Sequence, residues 1–206
     1  MVNILDLGYG NTISIGNTIE SLEYQFKYVR KPNDIEDGVI ILPGVGSIKA
    51  FNEGLNKYDW SASLANYAET GQNIIGICLG LHALTAFSEE SGGMKCLNLF
   101  HQNINTIQIH PDLQNSNTGW DEVTISRDFL DKVQWQPYFN RSKRKSVSGR
   151  VFYNHVYGCK YRGKNSIQIN RNKEFASIIA KKNILGIQFH PEKSQQTGKE
   201  VLKLIL

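Results

Sequence analysis

Cys78 sits in Gly76-Ile77-Cys78-Leu79-Gly80, directly after the apolar run from Asn73 to Ile77 and directly before the helix-forming stretch from Leu79 to Phe87. That arrangement suits a nucleophile at a strand-to-helix elbow. Small residues on either side allow a turn too tight for a side chain, and the turn lifts the sulfur clear of the sheet. The positive end of the following helix then faces the sulfur and suits an anionic nucleophile. Cysteine is also among the most buried residue types, and Cys96 and Cys159, which lack such a setting, read as packing residues.

A thiol that attacks a carbonyl needs a base to take its proton and return it to the leaving group. Of the five histidines, His190 is the best placed, because it ends the apolar run from Ile184 to Phe189 and precedes Pro191-Glu192. Residues two apart on an extended chain face one side, so Glu192 can lie beside His190 and hold its tautomer, and Pro191 discourages helix between them. Taken alone, His-Pro-Glu is equally a surface turn. The third component is the turn Pro43-Gly44-Val45-Gly46, which stops the apolar run from Gly38 to Leu42. Backbone N–H groups of Val45 and Gly46, with that of Leu79, are the candidate donors to an oxyanion. As a phosphate loop the turn lacks the lysine and hydroxyl that should follow.

The elements that must position these residues alternate in the first half: strands over Val2 to Leu7, Tyr24 to Val29, Gly38 to Leu42 and Asn73 to Ile77, and helix over Thr12 to Glu23 and from about Ile48 through Ala68. This pattern predicts a doubly wound, mostly parallel α/β sheet with helices on both faces, whose ligand sites lie beyond the carboxyl ends of the strands. After Phe87 come the loop Ser88 to Gly93 and shorter pieces, Asn103 to Ile109, Asp121 to Ser126, Val151 to Tyr157 and Ser166 to Asn170, which predict an added antiparallel hairpin region. Core returns with Ile178 to Ala180 and Ile184 to Phe189, and Thr197 to Leu206 closes as an amphipathic helix.

With 206 residues and 40% hydrophobic content the chain is expected to form one domain over residues 1–206. Its start lacks the pattern of a signal peptide, no run is long enough to span a membrane, and three cysteines form no Cys-x-x-Cys pair. A reduced, cytoplasmic protein is expected. The net charge of +4 is modest, and the run Arg141-Ser142-Lys143-Arg144-Lys145 reads as a solvated loop. With no binding module or interleaved aromatics, nucleic acid is not expected as a partner, nor is a membrane.

Cys78, His190 and Glu192 in these settings resemble the triad of class I glutamine amidotransferases, and within them the glutaminase subunits of imidazole glycerol phosphate synthase. The phrases that carry the resemblance run in the family's order along nearly the whole chain: Asp6-Leu7-Gly8-Tyr9-Gly10-Asn11, Leu42 to Ser47, Gly76 to Gly80, Ser88-Glu89-Glu90, Gly119-Trp120, His155 with Tyr157, and Gln188 to Ser194. The resemblance implies that Cys78 attacks the side-chain amide of glutamine, forms a thioester and releases ammonia, with no cofactor and no metal. It implies substrate contacts from Gly44, His82, Glu90, His155, Val156 and Tyr157. It further implies a heterodimer with a (β/α)₈-barrel cyclase that receives ammonia through a tunnel closed to water, with Asn11, Trp120, Phe152 and Lys193 near that interface or tunnel.

Departures from the family pattern cluster away from the triad. Gly80-Leu81-His82 stands where Gly-Met-Gln is usual, so an imidazole replaces an amide that helps hold the substrate; Glu90 remains as the expected partner of the substrate's ammonium. His155-Val156-Tyr157 replaces His-Ser-Tyr, Phe152-Tyr153 reverses the usual Tyr-Phe order, and Asn117 takes the place of a histidine ahead of Gly119-Trp120. Three other readings stay open on the sequence: a paralogue that supplies ammonia to a sugar-amidating synthetase for a surface glycan, a non-catalytic binding or regulatory subunit, and a stand-alone cysteine hydrolase.

Overall fold

Alternating residues of the first strands divide their side chains between two buried cores. The computed structural model describes residues 1–107 and 116–206. Its first four strands are β1 (Val2–Leu5), β2 (Phe26–Val29), β3 (Val39–Leu42) and β4 (Asn73–Ile77). Val2 and Ile4, Val39 and Ile41, and Ile75 and Ile77 enter one core; Leu5, Ile40, Leu42 and Ile74 enter the other. This is the period-two division expected of strands covered on both faces. Helix α1 (Thr12–Ser21) contributes Ile15 and Ile19 to the first core. Helices α2 (Ile48–Lys57), α3 (Trp60–Glu69) and α4 (Leu79–Leu84) contribute Phe51, Leu55, Trp60, Leu64 and Leu81 to the second. Each such aliphatic or aromatic side chain removed from water contributes about 1.5–3 kcal/mol.

The remaining strands are β5 (Phe87–Ser88), β6 (Met94–Lys95), β7 (Asn103–Thr106), β8 (Asn117–Ser126), β9 (Ser146–His155), β10 (Tyr157–Cys159), β11 (Ser166–Gln168), β12 (Ala176–Lys181) and β13 (Ile184–Ile187). The main sheet has seven strands in the order β11-β12-β13-β4-β3-β1-β2. Its pairs from β13 to β2 are parallel, and β12 and β11 add an antiparallel edge. β8 and β9 form an antiparallel pair along all their residues, longer than the short pieces expected at Asp121 to Ser126 and Val151 to Tyr157, and the second of these is divided at Val156 between β9 and β10. The short helix α5 (Arg127–Lys132) follows β8, and α6 (Gln195–Ile205) buries Val201, Leu202, Leu204 and Ile205 in the first core. The expected α/β fold, with helices on both faces and an antiparallel addition, is the observed one.

Local differences have physical causes. The single helical region expected from Ile48 to Ala68 is two helices, because Asp59 takes a left-handed conformation, φ 54°, between them. The helix expected to reach Phe87 stops at Leu84: Thr85 turns extended, its hydroxyl bonds the carbonyl of His82, and Phe87–Ser88 pairs instead with β6 and β7. The strand expected over Asn103 to Ile109 is observed to Thr106, and residues 108 and 109 lie outside the described residues. The basic run from Arg141 to Lys145 is a largely exposed loop, as expected, with Arg144 paired to Glu200 at 2.8 Å and the Arg141 guanidinium 4.7 Å from the Tyr24 ring centroid. Among the described residues no helix is long and apolar enough to cross a membrane.

Helix α4 sits directly on β4 because Gly76 carries no side chain, and against Leu42 of β3 because Gly80 carries none. A Cβ at Gly76 would lie 2.6 Å from the carbonyl carbon and oxygen of Gly80, which are backbone atoms with nowhere to move. Gly76→Ala is therefore expected to cost about 1–3 kcal/mol by overpacking. In thermal unfolding this corresponds to a Tm lower by about 2–4 °C per kcal/mol. An unchanged Tm would mean that α4 is not seated this closely.

Candidate active site

Cys78 and His190, the expected nucleophile and base, lie just beyond neighbouring strands. β4 and β13 pair in parallel with Ile77 opposite Ile187, so Cys78 leaves the sheet beside the segment that carries His190. Cys78 is the residue ahead of α4, with φ 48° and ψ −102°, a sparsely populated conformation held because its N–H donates to the Ile187 carbonyl at 2.6 Å. His190 is fixed by its own N–H, which donates to the Phe152 carbonyl on β9 at 2.9 Å.

Glu192 faces His190 by a route other than the extended one expected. Pro191–Lys193 form a single 3-10 turn with His190 as the residue before it, and proline fits the first position, where no N–H is needed. The turn brings His190 Nδ1 within 2.7 Å of Glu192 Oε1, both side chains being almost fully buried. Burial alone would lower the pKa of His190. The hydrogen bonds and charges of Cys78 and Glu192 outweigh it and raise the group from 6.5 to about 9, so the ring is an imidazolium at neutral pH. Burial pushes Cys96 up to about 11 and Cys159 up to about 12, consistent with packing roles.

Asn11, expected near the partner interface or tunnel, directs its amide inward. Its Nδ2 donates to Glu192 Oε1 and its Oδ1 accepts from the N–H of Gly44 at 3.1 Å, so one side chain ties the acid to the Pro43–Gly46 turn. Trp120 and Phe152, opposite one another on β8 and β9 with ring centroids 5.8 Å apart, remain partly exposed, and Lys193 is exposed.

A cavity of about 280 Å³ opens over Cys78 and His190. It is lined by Gly44, Val45, Gly46, Leu79, His82 and Glu90 on one side and by Asn154, His155, Val156 and Tyr157 on the other. Every residue expected to contact substrate or oxyanion is in this lining; Asn154, which no sequence signal singled out, is there too. The Leu79 N–H donates to the Gly44 carbonyl at 3.4 Å, a long bond, so an oxyanion at Leu79 must displace that carbonyl.

The side chains expected to contact substrate are preset by hydrogen bonds. His155 Nδ1 lies 2.8 Å from the Tyr157 carbonyl and so donates to it, while Nε2 accepts from Asn117 at 3.0 Å. Burial lowers the pKa of His155 to about 3, so the ring stays neutral, and Asn117 supplies the partner that holds it. Glu90 accepts from the N–H of Ile48 at 3.0 Å, at the start of α2. Burial opposes its ionisation, but the His82 ring and this N–H prevail and keep it below the usual carboxylate range. His82 is 3% exposed; its Nε2 lies 3.2 Å from Gln188 Oε1, and its Nδ1, without a hydrogen-bond partner, lies 3.9 Å from Glu90 Oε2. Gln188 carries no signal of its own in the sequence beyond its place in the run from Gln188 to Ser194. A fully buried amide inside an otherwise apolar run is the signal that could have marked it.

The family profile described as glutamine amidotransferase class-I matches residues 3–206. A protein of Prochlorococcus marinus named imidazole glycerol phosphate synthase subunit HisH is 30% identical over 98% of this chain and 95% of its own length. The Arabidopsis thaliana protein named imidazole glycerol phosphate synthase hisHF, chloroplastic, is 32% identical over the whole of this chain, which spans only 34% of that longer protein. A crystal structure titled glutamine amidotransferase superposes with a TM-score of 0.72 at 16% identity, covering 98% of this chain and 96% of that one, which is a likeness of fold. The chain belongs to the class I glutamine amidotransferase family.

Proposed function

We propose that this chain, acting as one domain in the cytoplasm, hydrolyses glutamine through Cys78, His190 and Glu192 and passes the ammonia to a barrel cyclase of histidine biosynthesis. The observation that carries the chemistry is the convergence at one sheet edge: Cys78 after β4, His190 after the adjacent parallel β13, and Glu192 2.7 Å from His190. The sulfur of Cys78 attacks the side-chain amide carbon of glutamine, and the tetrahedral oxyanion is received by N–H groups of Leu79, Val45 and Gly46. His190, charged at neutral pH, gives its proton to the departing nitrogen, and ammonia leaves with a glutamyl thioester behind it. His190, now neutral, takes a proton from water, which attacks the thioester and frees glutamate. Glu192 and Asn11 hold the ring for both steps.

The names of the full-length relatives support a cyclase that makes imidazole glycerol phosphate as the ammonia acceptor, in preference to a sugar-amidating synthetase. Trp120, Phe152 and Lys193, on the surface near His190 and Glu192, are the proposed contacts with it. Complete assembly of the three reacting groups argues against a purely regulatory subunit. The test is reconstitution: glutamine-dependent imidazole glycerol phosphate formation is expected when the chain is mixed with the histidine-pathway cyclase. Glutaminase activity stimulated by a sugar-amidating enzyme, and not by the cyclase, would overturn the choice of partner.

A further inference from the structure

His82 lies between two acceptors. Its Nε2 faces Gln188 Oε1 at 3.2 Å, and its Nδ1 faces Glu90 Oε2 at 3.9 Å, within ion-pair distance. The first contact is oriented from its far side: Gln188 Nε2 donates to the sulfur of Cys78 at 3.7 Å, which turns Oε1 towards His82. A neutral imidazole has one proton to give, whereas the imidazolium has one for each acceptor. The setting therefore suits the charged ring. Glu90 responds as to a neighbouring cation: burial opposes its ionisation, yet the His82 ring and the Ile48 N–H hold it below the usual carboxylate range. The titratable groups that share the cavity with His82 are Glu90 from the turn after β5, Cys78 one turn back along the chain, His190 beyond β13 and His155 at the end of β9. His155 is neutral, held down by burial and further by the positive charges of His82 and His190, and His190 is paired with Glu192. Glu90 is thus matched by a charge of the protein's own. The α-ammonium expected there is a second cation for one carboxylate, and like charges held together in a partly buried pocket disfavour one another.

We propose that His82 is the resident cation of the α-ammonium subsite, and that glutamine binds there by displacing its proton. The inference rests on the glutaminase reading above. The proton facing Glu90 leaves His82 for solvent through the cavity, the ring keeps its Nε2 proton on Gln188, and the substrate's ammonium takes over as the partner of Glu90. One proton is released for each glutamine bound. The sign follows from this balance: affinity is highest where His82 is already neutral, and it falls about tenfold for each pH unit below the His82 titration. A ligand without an α-ammonium makes no such demand. An amide at position 82, usual in the family, has no proton to lose, so the histidine is what ties recognition of the substrate's α-amino end to pH.

The test compares L-glutamine with glutaramate, which has the same side-chain amide and carboxylate but no α-ammonium, as substrates of the chain in complex with the cyclase. As pH falls from about 8 to about 5.5, the ratio of KM for glutamine to KM for glutaramate is expected to rise at least about tenfold. In His82→Gln the ratio is expected to stay within about twofold over the same range. Both substrates meet the same Cys78 and His190, so the titration of those groups cancels in the ratio. Where glutaramate turns over too slowly to give a KM, its inhibition constant against glutamine takes that place. Should His82→Gln fail to fold, nitrogen NMR of the His82 ring in the unsubstituted complex at about pH 6 reads the proton directly. Two protonated nitrogens are expected without ligand, and one with saturating L-glutamate, the reaction product, which carries the same α-ammonium. A ratio independent of pH, a rise that persists in His82→Gln, or a ring whose protonation glutamate does not change would overturn this inference alone. Absence of any glutamine binding or turnover would overturn it together with the glutaminase reading.

Discussion

Cys78→Ala is expected to lower glutamine hydrolysis by at least about 10⁴-fold while the protein stays folded and still binds its partner. The size of the effect follows from chemistry: without the sulfur there is no thioester, and among the described residues no second thiol and no serine or threonine hydroxyl lies in the cavity lining. Neither remaining thiol can substitute, because burial pushes Cys96 up to about 11 and Cys159 up to about 12, leaving both protonated at neutral pH. The small structural cost follows from geometry. Alanine carries the same Cβ into the same φ of 48°, so the backbone strain at the elbow is unchanged, and the N–H bond to the Ile187 carbonyl is retained. Ammonia release and thermal unfolding measured on one preparation separate the two effects. Turnover retained in this variant would place the nucleophile elsewhere.

The elbow was legible in the sequence because its requirements are local. A short apolar run, glycines two residues to either side and a helix-forming stretch describe the turn almost completely, and the close approach of Gly76 to Gly80 is their structural reason. The His190–Glu192 pair was legible as a pair, but not its geometry. Spacing of two on an extended chain and the first turn of a 3-10 helix both bring the side chains together, and the choice between them is made by a long-range bond, from the His190 N–H to Phe152, which local pattern cannot contain. The same holds for α4. Its helical propensity continues past Leu84, and pairing of Phe87–Ser88 in a separate small sheet overrides it.

Polar side chains spent inside the protein were the least legible. Asn11 lies next to a turn, and its amide joins Glu192 to Gly44 across a great length of chain. Gln188 and Asn117 act in the same way, through partners that only the fold brings near. Apolar periodicity reports which face a residue takes. It says nothing of which polar atom waits there, so the positioning layer of an active site emerges from the structure and the reacting atoms from the sequence.

Glu192→Gln tests that positioning layer with the second largest expected loss. The amide has the shape of the carboxylate and can still offer an oxygen to His190 and Asn11, but it removes the negative charge that, with Cys78, raises His190 from 6.5 to about 9 against the effect of burial. In the unsubstituted enzyme, turnover is expected to fall as pH rises through about 9, where His190 loses the proton that ammonia needs. In Glu192→Gln that limb moves to lower pH, the imidazolium is depleted near neutrality, and kcat falls by about 10²–10⁴-fold. Stability has a matching sign. A histidine whose folded pKa lies above its unfolded value stabilises the fold most below the unfolded pKa and loses that contribution as pH rises through the folded one. The Tm deficit of Glu192→Gln relative to the unsubstituted protein is therefore larger at about pH 6 than at about pH 10. A variant whose alkaline limb stays at about 9, with a Tm deficit independent of pH, would show that the charge on His190 does not depend on Glu192.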